Sequence, residues 1–463
     1  MRSSHILFSI FIVSFLCVLA ISNSGCGQIG MPTGGPRDSI PPRLTSASPK
    51  LNSTRVTGNK ITLTFNEYVD LKDPQTNVFI SPLPKKQPSI DFKLKTVTVK
   101  LKDSLLPNTT YSINFGNAIV DNNEGNPLKN FVYVFSTGNQ IDSFTLSGKV
   151  VIAETGKTDS TMIALLYRNA EDSAVQKRKP DYIAKLNGDG SFTFINLPAG
   201  SFIIYALKDG DGGKTYNSKK EIFAFADAAV IVSEKTEPVI LYASAFEKES
   251  SNNKTVKKVL NKRLLYSLAA TSSPAQDLLT PFELIFNNTL KKFDASKLIL
   301  RDTNYKPVQA PSWTIDSTRT KISLAVKWPE AAEYRLIMDT LAITDSANNH
   351  LVKADTIRFF TKQQSDYGNA VLRFSNLDLS KHPVLQLVQG DEIKNSYPLT
   401  TLEWSNKFIS PGEYEIRILF DSNNNGKWDT GDYSKKRQPE KAITLKDKLA
   451  IKANWDNERD IKL

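Results

Sequence analysis

Ile61-Thr-Leu-Thr-Phe65 puts an apolar side chain at every second position. Successive side chains of a strand point to opposite faces, so this alternation predicts a strand with one buried and one solvated face. The same period returns in Thr96-Val-Thr-Val-Lys-Leu101, Tyr111-Ser-Ile-Asn-Phe115 and Phe131-Val-Tyr-Val-Phe135. Leu106-Pro107-Asn108 and Asp121-Asn-Asn-Glu-Gly-Asn126 separate these runs with turn-forming residues. Short strands with turns between them predict a β-sandwich over 43–138. No long apolar run with a helical period occurs between residues 40 and 460, so the expected fold class is all-β, as tandem β-sandwich domains.

Three motifs within 43–138 carry a family likeness. Phe65-Asn66-Glu67, Leu106-Pro-Asn-Thr-Thr-Tyr111 and Ala118-Ile-Val-Asp121 with Gly125-Asn126 resemble the bacterial Ig-like domain named for the S-layer protein SbsA. That resemblance implies a fold and leaves chemistry open. A second module is expected over 141–245. Its Leu146-Ser-Gly148-Lys-Val150, Gly188-Asp-Gly-Ser-Phe-Thr-Phe194 and Leu197-Pro-Ala-Gly200 followed by Ser201–Leu207 form a strand, turn and strand pattern. This pattern looks like the transthyretin-like or carboxypeptidase-regulatory-like β-sandwich.

The pair then repeats. Phe282-Glu-Leu-Ile-Phe286-Asn287 matches Ile61–Asn66, Ala342-Ile-Thr-Asp345 matches Ala118–Asp121, and Phe359-Phe-Thr361 matches Phe135–Thr137. Pro411-Gly412-Glu-Tyr414 with Asp421 mirrors Ala199-Gly200-Ser-Phe202 with Asp209. The reading gives a second, divergent Ig-like domain over 256–364 and a second transthyretin-like sandwich over 366–460. Residues 247–261, rich in Ser, Asn, Lys and Glu, read as a flexible joint.

The N-terminus reads as an address. Arg2 precedes an apolar run, Ile6 to Ile21, followed by small and polar residues, the order of a signal peptide over 1–25. Ser24-Gly25-Cys26 resembles the lipobox of bacterial lipoproteins, which implies acylation of Cys26 and anchoring to a membrane. Asn23 stands where that family usually has an apolar residue. Acyl chains contribute ~0.8 kcal/mol per buried CH₂, so several would hold the chain firmly. Residues 26–42, with Pro32-Thr-Gly-Gly-Pro36 and Pro41-Pro42, read as a tether. No acidic residue follows Cys26 closely, which favours the periplasmic face of the outer membrane over the cell surface. Cys17 and Cys26 are the two cysteines, so the sandwiches must rest on their apolar cores.

The formal net charge is +11. Lysines are interleaved with acids over most of the chain, and no nucleic-acid motif accompanies them, so nucleic acid is not an expected partner. The densest basic stretch, Lys254 to Arg263, reads as a solvated linker or as a patch for an acidic partner.

One segment has ligand-like spacing. Asp421, Asn423, Asn425 and Gly426, then Asp429 and Asp432, fit positions 1, 3, 5, 6, 9 and 12 of a calcium loop. The candidate metal residues are therefore Asp421, Asn423, Asn425, Asp429 and Asp432, with structural Ca²⁺ as the candidate cofactor. The competing reading is an Asx-rich turn closed by its own side chains. Asp209-Gly-Asp211-Gly-Gly213 is a reduced counterpart. Asp-Ser/Thr triplets at Asp38, Asp103, Asp159, Asp172, Asp316, Asp339, Asp345 and Asp355 resemble the O-glycosylation sequon of Bacteroidota, with ordinary turn chemistry as the alternative.

No catalytic residue is predicted. The histidines are His5, His350 and His382, without an HExxH or a G-x-S-x-G context. The expected protein is a non-catalytic envelope lipoprotein, resembling the SbsA Ig-like lipoproteins of Bacteroidota, that serves as a structural or protein-interaction array. The alternatives are a glycan-binding or adhesion lipoprotein, with Trp404 and Trp428 as candidate sugar contacts, or an accessory subunit of an envelope complex.

Overall fold

The computed structural model describes residues 12–14, 37–168, 171, 173–247, 263–272, 274–308 and 312–463. Cys26, most of the predicted signal peptide and tether, the joint from 248 to 261 and Asp172 lie outside them.

The first compact unit ends at Ile141. In the strand Lys60–Phe65 the alternation becomes burial: Ile61, Leu63 and Phe65 point inward, while Thr62 and Thr64 point out. This strand lies between Leu44–Ser48 and Thr96–Lys100, and Ser89–Lys93 completes an antiparallel four-stranded sheet. A three-stranded sheet of Phe79–Ser81, Thr110–Gly116 and Phe131–Ser136 supplies the other layer. Val97, Val99, Ile113, Phe115, Tyr133 and Phe135 meet in one core. Each such side chain contributes roughly 1.5–3 kcal/mol by leaving water. A short ribbon, Val69–Leu71 with Ile119–Asp121, flanks the two sheets.

The second compact unit runs from Asp142 to Leu463 and contains three separate cores. In the first of these, Phe144–Ile152 is central to a three-stranded sheet. It pairs antiparallel with Ser191–Leu197 and parallel with Val239–Ala243. Gly148 sits where this ladder is tightest. A Cβ there would lie 2.3 Å from the Val239 carbonyl oxygen and 2.4 Å from Cζ of Phe192. Gly148→Ala therefore forces strand or ring to move, and we expect a loss of about 2 kcal/mol in a denaturant titration. The facing sheet is built on Ile163–Arg168 and Gly200–Leu207.

The next core repeats the strand order of the first unit. Tyr266–Leu268, Phe282–Phe286, Lys321–Ala325 and Ser312–Ile315 make the four-stranded sheet. Leu298–Asp302, Glu333–Met338 and Asp355–Phe360 make the three-stranded one. The last core repeats the order of the second, with Gly368–Ser375 paired antiparallel to Glu403–Ile409 and parallel to Asp456–Lys462. The chain is thus an all-β array of tandem sandwiches. Among the described residues no helix is long and apolar enough to cross a membrane.

The Asp-Ser/Thr triplets lie largely in turns. Asp159, Asp316 and Asp339 accept from the backbone N–H two residues on, at Thr161, Thr318 and Leu341. These bonds are the Asx turns that such sequences favour. The hydroxyl-bearing residues Ser39, Ser104, Ser160, Ser317, Ser346 and Thr356 are exposed.

Candidate functional site

The strand Gly412–Phe420 delivers Asp421 into a loop that doubles back to Glu440. Asp421 is 1% exposed. Its carboxylate accepts from Asn425 N at 3.1 Å and Gly426 N at 2.6 Å. Gly426 takes φ 76°, the left-handed conformation that the turn requires and that glycine adopts without strain. The side-chain amides of Asn423 and Asn425 both donate to Asp429 Oδ2, at 2.5 and 2.8 Å.

Asp432 does not join them. Its carboxylate caps the short turn Tyr433–Lys435, accepting from the Ser434 hydroxyl at 2.6 Å and Ser434 N at 3.0 Å. The hydroxyl bond, with help from the backbone and Lys435, holds its carboxyl below the usual range despite desolvation. As placed, the five side chains are tied to the loop's own backbone N–H groups, to asparagine amides and to Ser434, with Asp432 turned to its own short helix. Among the described residues no group of three or more His, Cys, Asp or Glu side chains could hold a metal. The counterpart loop is similar: Asp211 accepts from Gly213 N and the Asn217 amide, both at 2.7 Å, and Asp209 takes Lys214 N.

Sequence reasoning missed Glu440. This buried carboxylate takes the N–H and hydroxyl of Ser422, both at 2.8 Å, and Asp429 N at 3.0 Å, while its backbone oxygen accepts from Trp428 Nε1. It closes the loop from the far side. Nothing in Gln438-Pro439-Glu440 announces that role, because its partners lie 11 to 18 residues back.

The loop's work is on its outer side, where it docks on the sandwich built on Ile163–Arg168 and Gly200–Leu207. The Tyr433 ring meets Phe223 and Phe225, both at 5.2 Å, and Tyr205 at 5.9 Å, edge to face or steeply inclined. Its hydroxyl lies 3.0 Å from that of Tyr205, and Lys436 sits 4.1 Å over its ring. Gln438 donates to Phe225 O and Asp227, and Thr430 donates to Ala245 O. Beside the loop, Ala442 N donates to Ala153 O at 2.8 Å, and Lys157 pairs with Glu415 at 2.8 Å. Gly156 makes this approach: at φ +67°, a Cβ would fall 2.6 Å from Ala442 O. A smaller tie joins the last two sandwiches. The Tyr367 hydroxyl accepts from Leu278 N at 2.7 Å, and Lys362, paired with Asp277 within its own sandwich, lies 5.4 Å from the centre of the Tyr367 ring.

The remaining expected contacts fall elsewhere. Trp404 is not an exposed sugar platform. It lies in the last core, 9% exposed, with Tyr397 at 4.9 Å, because the strand Glu403–Ile409 turns it inward. Trp428 is half-buried against Glu440. His350 Nδ1 meets the Thr344 hydroxyl at 3.1 Å within a turn, and His382 occupies a left-handed position at φ 47°.

A family model described as a bacterial Ig-like domain matches residues 38–137, which is the first sandwich. No curated protein matches the chain. Several solved structures are similar. Native alpha-2-macroglobulin from Escherichia coli, spanning domains MG0-NIE-MG1, is 13% identical over 40% of this chain and 72% of that one, with a TM-score of 0.20. BcpA, the major pilin subunit of Bacillus cereus, is 10% identical over 69% and 99%, with a TM-score of 0.17. The N-terminal part of the bacterial S-layer protein SbsC is 15% identical over 45% of each chain, with a TM-score of 0.16.

Proposed function

We propose that the chain is a non-catalytic structural or adhesive array of the cell envelope, held to the outer membrane through an acylated Cys26, with the periplasmic face favoured. Its domains are the Ig-like sandwich over 43–138, the transthyretin-like sandwich over 141–245 and their divergent repeats over 256–364 and 366–460. The observation that carries the reading is the use of the most elaborate loop. Asp421 to Asp429 turn their carboxylates and amides on the loop itself, and Thr430, Tyr433 and Gln438 meet a neighbouring sandwich. Side chains at such a loop serve ligands when they converge on open space. Here they converge on protein.

Protease shaving of intact cells, with acyl-chain mass spectrometry of the N-terminal peptide, tests the reading. Acylated Cys26 and protection from protease support it. An unmodified Cys26 on a chain released into the medium sinks the anchored half. For the loop itself we expect the same thermal midpoint in calcium and in a chelator. A midpoint that rises with calcium would restore the cation reading.

A further inference from the structure

We propose that the outer face of the four-stranded sheet in the first sandwich binds an acidic polysaccharide, a strand of uronate type. The proposal deepens the adhesive side of the reading above. The alternation that buries Ile61, Leu63, Val97 and Val99 leaves a ladder of hydroxyls outside. Thr62 stands opposite Thr98, and Thr64 opposite Thr96. On the next strand Ser48 and Ser46 continue the same two rows. Neighbouring hydroxyls on one face of a sheet can exchange hydrogen bonds with the hydroxyls of a sugar chain.

The charges around this ladder have one sign in excess. Lys60 and Lys100 are direct cross-strand partners, and Lys93 stands opposite Thr96. Like charges placed directly opposite destabilise a sheet, and an anion lying between them removes that cost. Among the described residues no carboxylate pairs with Lys60, Lys93, Lys95 or Lys100. Asp91 is the one acid on the face and accepts from the Ser89 hydroxyl. Of the flanking acids, Asp70 pairs with Lys72, Asp121 is committed to backbone N–H groups, and Glu67 is pushed toward its neutral form by burial and by Asp121 and Asp38 beside it.

One end of the face is hollowed. Tyr68, Lys93, Leu94, Lys95, Thr96 and Thr98 line a cavity of about 520 Å³. Tyr68 is 53% exposed, and its ring is fixed by Lys95, whose ammonium lies 5.7 Å from the centroid and donates to Asn66 O at 2.8 Å. A ring offers the C–H face of a sugar an apolar platform. The lysines offer its carboxylate a countercharge, and the threonines meet its hydroxyls. A neutral glycan would leave the lysines unused, and an apolar partner would strand the hydroxyls.

The test is affinity electrophoresis of the full acylated chain in detergent, through gels containing alginate or, as the neutral control, dextran. Alginate should retard the chain and dextran should not, with retardation falling as salt rises. Tyr68→Ala and Lys93→Gln should each weaken binding about threefold or more, and Lys60→Gln with Lys100→Gln about tenfold. Lys441→Gln, in the last sandwich, should change nothing. Unchanged circular dichroism separates lost contact from lost fold. The proposal fails if alginate gives no retardation, if dextran retards equally, or if the variants bind as the parent does. It also fails if duplex DNA or anionic vesicles bind more tightly than alginate. Such a failure leaves the anchored array standing, because that is read from acyl mass and protease protection.

Discussion

Tyr433→Ala should uncouple the last sandwich from the sandwich that holds Tyr205 while leaving both cores folded. The ring is the centre of the docking surface, touching Tyr205, Phe223 and Phe225, and its hydroxyl is the partner of Tyr205. Truncating a large aromatic in a packed setting costs about 3–5 kcal/mol. The half-buried position of Tyr433 puts the expected loss near the lower end, about 3 kcal/mol. None of that cost falls on the core residues Leu372, Leu385 and Ile416 or Leu166, Phe202 and Ile204, which do not contain Tyr433 among them. The expected result is therefore a thermal transition that broadens or splits, with amide exchange rising first at Ala442 and at residues 223–225. Gly156→Ala attacks the same docking from the opposite side, through backbone rather than ring, and should give the same exchange pattern. A single, uniformly shifted transition in both variants would show that the loop stabilises its own sandwich and couples nothing.

The sequence made the sandwiches easy to read and the docking invisible, for one physical reason. Strand faces are encoded locally, every second residue, so Ile61, Leu63 and Phe65 declare their core without knowledge of the rest of the chain. Docking surfaces have no period. Tyr433 and Tyr205 are 228 residues apart, and a tyrosine in a polar loop looks the same whether it faces water or a neighbour. The Asp421 loop shows how one spacing serves two uses. Oxygen-bearing residues at alternate positions before a glycine can fold around a cation. The same spacing lets one aspartate accept several backbone N–H groups, as Asp421 does from Asn425 and Gly426. Trp404 shows the reverse limit. Its neighbours Glu403 and Ser405 point outward, so strict alternation already implied its burial, and its aromatic character alone suggested a sugar platform.

Asp121 illustrates how much a single turn residue of this kind holds, and Asp121→Ala should destabilise the first sandwich by about 3 kcal/mol. Its Oδ1 accepts from the N–H groups of Asn123, Glu124 and Gly125, and its Oδ2 from Asn126 N, at 2.6 to 3.0 Å. Orphaning a buried donor costs about 1–3 kcal/mol. The loop's exposed outer side lets water repair part of the damage, so the four losses do not sum. Burial alone would push the Asp121 carboxyl up. The four N–H donors outweigh it and hold the carboxyl below its ordinary value. The sign of the pH dependence follows. With the folded value depressed, the contribution is fully present above the unfolded value of about 4 and is lost as pH falls through the folded value. Acid should therefore destabilise the parent more steeply than Asp121→Asn over that window, because the variant has no carboxylate left to protonate. Asp345 occupies the equivalent turn of the divergent repeat, accepting from Ala347 N and Asn349 N, and its carboxyl is likewise held low against burial. The double variant should be flatter still in acid. Urea titrations at neutral and acidic pH read both slopes. Parallel pH profiles for parent and Asp121→Asn would mean that the turn is held by its backbone and that the carboxylate is a passenger.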